Sequence, residues 1–325
     1  MITEEEEAKM DPTIYIPRII AQEGIDYLAE HGISVKVGTS IEEDVMCQEV
    51  RGCQGILVRT AQITRRVMEA ERGLRIIARH GTGLDIIDVP AATELGIQVT
   101  NTPESNGPSV AELTIGGMIA AARCIQELSN SARRGDFFYK THCQGMELTG
   151  KTLGLVGFGD IGRQVARIAA QGFQMQVLVY EGHMAGKPMP DYVRLVSWED
   201  LFRSAAFVSL HIPLRAENRD LVGSREFAMM KPSAIFLNTA RGKVVCEEEM
   251  VAALNTHQIA GAFLDVLREE PFSADHPLLH MPQVLVTPHI GSNTREALER
   301  SAPHAAMDIV SFFRGEALRW PANQI

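Results

Sequence analysis

The chain has 325 residues, 45% of them hydrophobic and 22% charged. That is the make-up of an ordinary folded protein with room for two domains. Its formal net charge of -10, with no basic stripe carrying interleaved aromatics, argues against nucleic-acid partners. The most continuous apolar stretch, Leu113 to Ala122, is too short to cross a bilayer, and Glu4 to Glu7 stand where a signal peptide needs basic residues. The expectation is a cytoplasmic protein with no membrane role and a frayed acidic terminus.

In chain order, short β-rich runs alternate with helical patterns. Strands are predicted at Thr13 to Ile16, Ile33 to Val37, Gly55 to Val58, Arg75 to Ala78 and Ile97 to Thr100. Such alternation indicates a parallel sheet. Asn106 to Leu128 reads as one long helix with Pro108 near its start, and Gly116 and Gly117 inside it suggest close packing. A second series of six strands follows: Leu153 to Val156, Gln176 to Tyr180, Phe207 to His211, Ala234 to Asn238, Gly261 to Asp265 and Val284 to Thr287. With their helices these make a complete doubly wound sheet. After Asn293 a last helical segment has no strand left to follow, so a return to the first domain is expected. Cys47, Cys53, Cys124, Cys143 and Cys246 are odd in number and lack a CxxC pair, so they read as reduced thiols with no zinc site.

The run Gly157-Phe158-Gly159-Asp160-Ile161-Gly162 places GxGxxG between a strand and a helix. Gly157 permits the tight turn, Gly159 lets the backbone approach a pyrophosphate, and Gly162 lets the helix pack close while its amides face the anion. Glu181 ends the next strand about 20 residues on, where a carboxylate accepts from ribose hydroxyls and repels a ribose phosphate. The cofactor is therefore expected to be NAD. Nearby His183 and Lys187 leave room for dual use.

Three further segments carry polar residues at strand ends: 238–242, 264–271 and 287–291. With the nucleotide fingerprint, and over nearly the whole chain, they resemble the D-isomer-specific 2-hydroxyacid dehydrogenase family. Arg241, Glu270 and His289, in that order, look like its catalytic triad. The chemistry asks for these residue types independently. Hydride delivery to a ketone leaves charge on oxygen, so a proton donor is needed there, and histidine suits that role. A neighbouring carboxylate fixes its tautomer and favours the imidazolium, while a planar guanidinium can hold carboxylate and carbonyl together. The other nine histidines lack such company and read mostly as surface or packing residues, His211 and His80 excepted.

The resemblance implies more. Asp265 would meet the nicotinamide carboxamide, and Thr82, His211, Ile212, Pro213, Thr239, Ala240 and Gly291 would line the cofactor site with the glycine motif. Arg79-His80-Gly81-Thr82-Gly83 resembles the family's glycine loop, whose converging amides receive the substrate carboxylate. Arg59, with Thr60 beside it, and Arg79 would face a substrate phosphate, as in phosphoglycerate dehydrogenases. Asp160, Lys243 and His80 depart from the usual family residues and put substrate identity in doubt; Lys243 and His80 could serve an additional anionic group.

The fold so implied is α/β: a Rossmann NAD-binding domain, 106–293, inserted in a flavodoxin-like substrate domain made of 1–105 and 294–325, with the active site between them. A homodimer through 109–150 is implied. The expected activity is hydride transfer at C2 of a small D-2-hydroxy acid or 2-keto acid, 3-phosphoglycerate among the candidates. Hydroxypyruvate or glyoxylate reductase is the alternative enzyme, and an NAD-sensing corepressor-like interaction protein the alternative of another class.

Overall fold

The computed structural model describes residues 11–182 and 189–325, so Glu4 to Glu7, His183 and Lys187 lie outside the described residues. The chain divides into two compact units, one of Met1–Asn106 with Ser292–Ile325 and one of Gly107–Gly291.

The first unit runs β1 (Thr13–Ile16), α1 (Gln22–Glu30), β2 (Ser34–Val37), α2 (Glu43–Glu49), β3 (Gly55–Val58), α3 (Arg65–Glu69), β4 (Ile76–Arg79), α4 (Val89–Glu94) and β5 (Gln98–Thr100). All pairings are parallel, in the order β2-β1-β3-β4-β5. Strands buried on both faces read as continuous apolar runs, which is why Gly55–Val58 was legible. Alternation sends Tyr15, Ile56, Val58 and Ile77 into one core and Ile14, Ile16, Leu57, Ile76 and Ala78 into another. The last helix, α11 (Arg295–Phe313), covers the second core with Ala302, Ala305, Ala306 and Ile309. It therefore returns to the first unit. Gly24 of α1 lets the two helices touch, because a Cβ there would stand 2.7 Å from Ala302 Cβ.

The second unit opens with α5 (Gly107–Ala122) and α6 (Ile125–Arg133), then β6 (Thr152–Val156), α7 (Asp160–Phe173), β7 (Gln176–Tyr180), β8 (Val193–Leu195), α8 (Trp198–Ser204), β9 (Phe207–Leu210), α9 (Ser224–Met229), β10 (Ile235–Asn238), α10 (Glu247–Asn255), β11 (Gly261–Leu264) and β12 (Val284–Val286). The sheet is again parallel, ordered β12-β11-β10-β9-β6-β7-β8. Strand order reverses direction between β6 and β9, the topological switch where such sheets bind ligands.

Three expectations need correction. The sheet has seven strands, not six: β8 was missed because Val-Arg-Leu at a sheet edge offers no apolar run. The single helix 106–128 is two, parted at Cys124, whose φ of 51° is left-handed. The apolar pattern hides this break, which Met146 N–H secures by donating to Ala122 O at 2.7 Å. Of the paired glycines, Gly116 meets nothing, whereas a Cβ on Gly117 would fall 2.1 Å from the Phe263 ring.

That last contact gives a test. Phe263 is buried in β11 and its ring has no room to retreat, so Gly117→Ala is expected to destabilise the protein by about 1–3 kcal/mol. Urea or thermal unfolding of the variant checks this.

Candidate active site

In the second unit the glycine loop follows β6 and opens α7. Gly157 has φ of 98°, and a Cβ on it would sit 2.4 Å from the His211 carbonyl oxygen. Only glycine serves there. Gly162 lies against the Gly157 carbonyl, and Gly159 has open space on its Cβ side. Gly159 is also the N-cap of α7 and offers no capping side chain, so the first amides of that helix remain for an anion. The Glu181 carboxylate accepts from Phe158 N–H at 2.8 Å, so the acid at the end of β7 sits on the glycine loop itself. Ile161 belongs to the first turn of α7, and Asp160 turns its carboxylate towards Gln164 Nε2 at 2.9 Å and the start of α5.

Across the switch, β9 ends and His211-Ile212-Pro213 follow. His211 Nε2 lies 2.9 Å from Ser209 Oγ, and burial pushes its pKa down to about 4, so the ring is neutral. Loop amides, a helix N-terminus and the Glu181 carboxylate lie together at this sheet edge, a combination that fits a dinucleotide.

Strands β10, β11 and β12 are neighbours, and their carboxyl ends carry the three polar segments. After β10, the Asn238 side chain brackets the turn: its Oδ1 accepts from Ala240 N–H at 3.0 Å and its Nδ2 donates to Arg241 O at 2.9 Å. Thr239 Oγ1 lies 2.9 Å from Thr114 Oγ1. Arg241 Nη1 donates to Ala240 O at 2.7 Å. Gly242 packs against the Leu267 and Arg268 backbone, joining this turn to the loop that carries Glu270.

After β11, Asp265 is 1% exposed, and its carboxylate accepts from Thr287 Oγ1 at 2.6 Å, Ile290 N–H at 2.8 Å and Gly291 N–H at 2.8 Å. Burial raises the Asp265 pKa, and these three donors oppose that rise. Its own carbonyl accepts from His289 N–H at 2.8 Å. Asp265 thus organises the turn after β12, a use the sequence reading did not give it, and Asn238 and Thr287 were missed as supports. His289 on that turn has φ of 51°, a conformation seldom adopted without such restraint. Its Nδ1 lies 2.7 Å from Glu270 Oε2, while Glu270 Oε1 accepts from Leu267 N–H at 3.2 Å. The pair is half-exposed and open to a reactant. A second pair, His276 Nε2 with Glu247 Oε1 at 2.8 Å, corrects the expectation that no other histidine has an acidic companion. Glu247 also accepts from Arg268 N–H at 2.9 Å, pinning the base of the Glu270 loop.

The first unit holds the remaining candidates at the carboxyl ends of β3 and β4, namely Arg59, Thr60, Arg79, His80, Gly81, Thr82 and Gly83. Arg79 is not a free cation: its Nε donates to Gly83 O at 2.9 Å and its Nη1 to the carbonyl of His80, so it braces the loop. Gly81 N–H is engaged by Thr102 Oγ1 at 2.8 Å. That leaves the Thr82 and Gly83 amides without an acceptor among the described residues. His80 is 4% exposed with no hydrogen-bond partner at Nε2, and burial, with Arg79 and Arg59 near, drives its pKa down to about 4. A ring so buried does not serve as a surface anion receptor.

Residues 115–291 match the model of the D-isomer specific 2-hydroxyacid dehydrogenase NAD-binding domain. The chain is 36% identical over 312 residues to a D-3-phosphoglycerate dehydrogenase of Archaeoglobus fulgidus, covering 95% of this chain and 59% of that one. It is 36% identical over 314 residues to a glyoxylate reductase of Korarchaeum cryptofilum, covering 94% of each. The crystal structure of the TT0316 protein from Thermus thermophilus superposes with a TM-score of 0.87 at 35% identity, covering 96% of this chain and 100% of that one. The chain belongs to the D-isomer specific 2-hydroxyacid dehydrogenase family, and its second unit is the family's NAD-binding domain. Among the described residues no helix is long and apolar enough to span a membrane, and no cluster of ligands could hold a metal ion.

Two outcomes are expected. Glu181→Ala removes the carboxylate that accepts from Phe158 N–H on the glycine loop and is expected to weaken NADH binding on the order of tenfold or more, read by fluorescence titration with NADH and NADPH in parallel. His80 titrates near 4 when folded and near 6.5 when unfolded. The unfolded chain therefore binds more protons in that window, and stability is lost as pH falls from about 6.5 towards 4. Denaturant melts between pH 7 and 4 should show a shallower loss for His80→Asn.

Proposed function

We propose that the protein is an NAD-dependent oxidoreductase acting at C2 of a small D-2-hydroxy acid or its 2-keto acid. The observation that carries this reading is the 2.7 Å contact between His289 Nδ1 and Glu270 Oε2, on strand ends beside the Arg241 turn. Bound NAD supplies or accepts the hydride.

In reduction, His289 Nε2 donates a proton to the C2 oxygen as charge develops there; in oxidation it takes that proton back. Glu270, anchored by the Leu267 amide, holds the ring with Nδ1 protonated and stabilises the imidazolium. Arg241 grips the substrate carboxylate and carbonyl through its planar donors. In the first unit, Gly81 N–H is committed to Thr102 Oγ1, so in the loop His80 to Gly83 it is the Thr82 and Gly83 amides that remain to receive an anion. Asp265 positions the His289 turn, and Glu181 favours NAD over NADP.

The chain spans 59% of the length of the Archaeoglobus phosphoglycerate dehydrogenase and 94% of the Korarchaeum glyoxylate reductase. Both substrate types are therefore the ones to assay. A cytoplasmic location belongs to this reading, supported by five unpaired cysteines. So does a homodimer through 109–150, supported by Phe137 and Phe138, 68% and 74% exposed in that segment.

The test is NADH oxidation with hydroxypyruvate, 3-phosphohydroxypyruvate and glyoxylate. Turnover of at least one is expected. His289→Gln should lower kcat about 10²- to 10⁴-fold in both directions while NADH still binds. Near-native rates in that variant, or cofactor and protein-partner binding with no turnover of any 2-keto acid, overturn the reading in favour of a sensing role.

A further inference from the structure

Within the second unit the fold brings two thiols together, those of Cys124 and Cys143. Cys124, with its φ of 51°, is the single residue after Arg123 that parts α5 from α6. Past the end of α6, Gly135 with φ of 78° turns the chain, and the residues beyond it come back to the start of that helix. There Met146 N–H donates to Ala122 O at 2.7 Å, and a Cβ on Gly145 would stand 3.0 Å from that oxygen and 3.1 Å from Arg123 Cα. Segment 143–146 is therefore packed against 122–124, and the Cys143 thiol neighbours that of Cys124.

Both are free thiols and half-exposed. Cys124 also lines a cavity of about 270 Å³ between this junction and the amino ends of β10, β11 and β12, at the sheet edge opposite the glycine loop. A small reagent can thus reach the sulfur. The remaining cysteines are placed otherwise. Cys53 is buried in a core of the first unit, Cys47 Sγ donates to Arg66 O at 3.7 Å, and Cys246 Sγ donates to the Glu248 carboxylate at 3.7 Å.

We propose that Cys124 and Cys143 form a modification site, a dithiol that a low-molecular-weight disulfide converts to a disulfide within the chain. The Cys143 thiolate attacks one sulfur of the small disulfide, whose S–S bond breaks to release one small thiol and leave a mixed disulfide. Cys124 then gives its proton to solvent and attacks the Cys143 sulfur, expelling the second small thiol. The protein thiols lose two electrons and two protons, and the small disulfide takes them up. Burial and the Cys143 thiol push the Cys124 pKa up to about 11, so Cys124 waits protonated and Cys143 attacks first. Once Cys143 is bonded, its share of that rise vanishes and Cys124 ionises more readily. The closed bond ties the loop carrying the exposed Phe137 and Phe138 to the end of α5. The site goes beyond the proposed hydride transfer and does not depend on it.

The test incubates the reduced full chain with oxidised glutathione, alkylates it and digests it with trypsin without reduction. Cleavage after Arg123, Arg133, Lys140 and Lys151 releases the peptides 124–133 and 141–151, expected joined by a disulfide and separate after dithiothreitol. Cys124→Ser should retain glutathione on Cys143, and Cys143→Ser should take up glutathione at least about tenfold more slowly, the fold of each variant being checked by circular dichroism. Chymotryptic cleavage at Phe137 and Phe138 should slow about fivefold in the oxidised chain and recover on reduction, because cutting needs local opening. Mixed disulfides alone in the unaltered chain, a bond to Cys47, Cys53 or Cys246, a bond between two chains, or equal cleavage of both forms overturns the proposal.

Discussion

The second unit depends on one buried carboxylate. Asp265 accepts three hydrogen bonds from the turn after β12 and, through its carbonyl, a fourth from His289 itself. Taking a carboxylate out of water is costly unless donors replace the lost solvent, and the turn supplies them. That mutual satisfaction holds His289 in a left-handed backbone conformation it would seldom keep otherwise. The direction of the imidazole towards Glu270 follows from it. Glu270 is fixed independently, by the Leu267 amide and by a loop that Glu247 ties down.

Both sheets follow one rule. Parallel strands bring all their carboxyl ends to one edge, and reversal of strand order opens a crevice there. In the second sheet the reversal lies between β6 and β9, beside the glycine loop and His211; in the first it lies between β1 and β3. The chain order of the glycine loop and His211 conceals their grouping. Only the sheet order, with β9 beside β6, brings them together.

Much of this was legible in the sequence because the relevant signals are local. A strand, GxGxxG and a helix need only adjacent residues, and Glu181 follows at a distance the βαβ unit fixes. The proposed triad was read from three strand-end segments, each readable by itself. What escaped were long-range contacts and local exceptions. The break at Cys124 carries no glycine or proline, so periodicity ran through it. Arg79 looked like a receptor because its spacing cannot reveal that loop carbonyls occupy its donors. Asp265 was noticed, but its burial and its hold on the turn required the fold.

The central claim is that His289, steered by Glu270 on the turn Asp265 secures, supplies the proton while hydride reaches C2. The most direct measurement is isotopic: NADH deuterated at C4 is incubated with the protein and a panel of 2-keto acids, and the product is read by proton NMR. Deuterium bonded to C2 of a D-2-hydroxy acid, with the hydroxyl proton drawn from solvent, is the expected result. Failure to label C2 of any keto acid, in protein shown to bind the cofactor, would contradict the account.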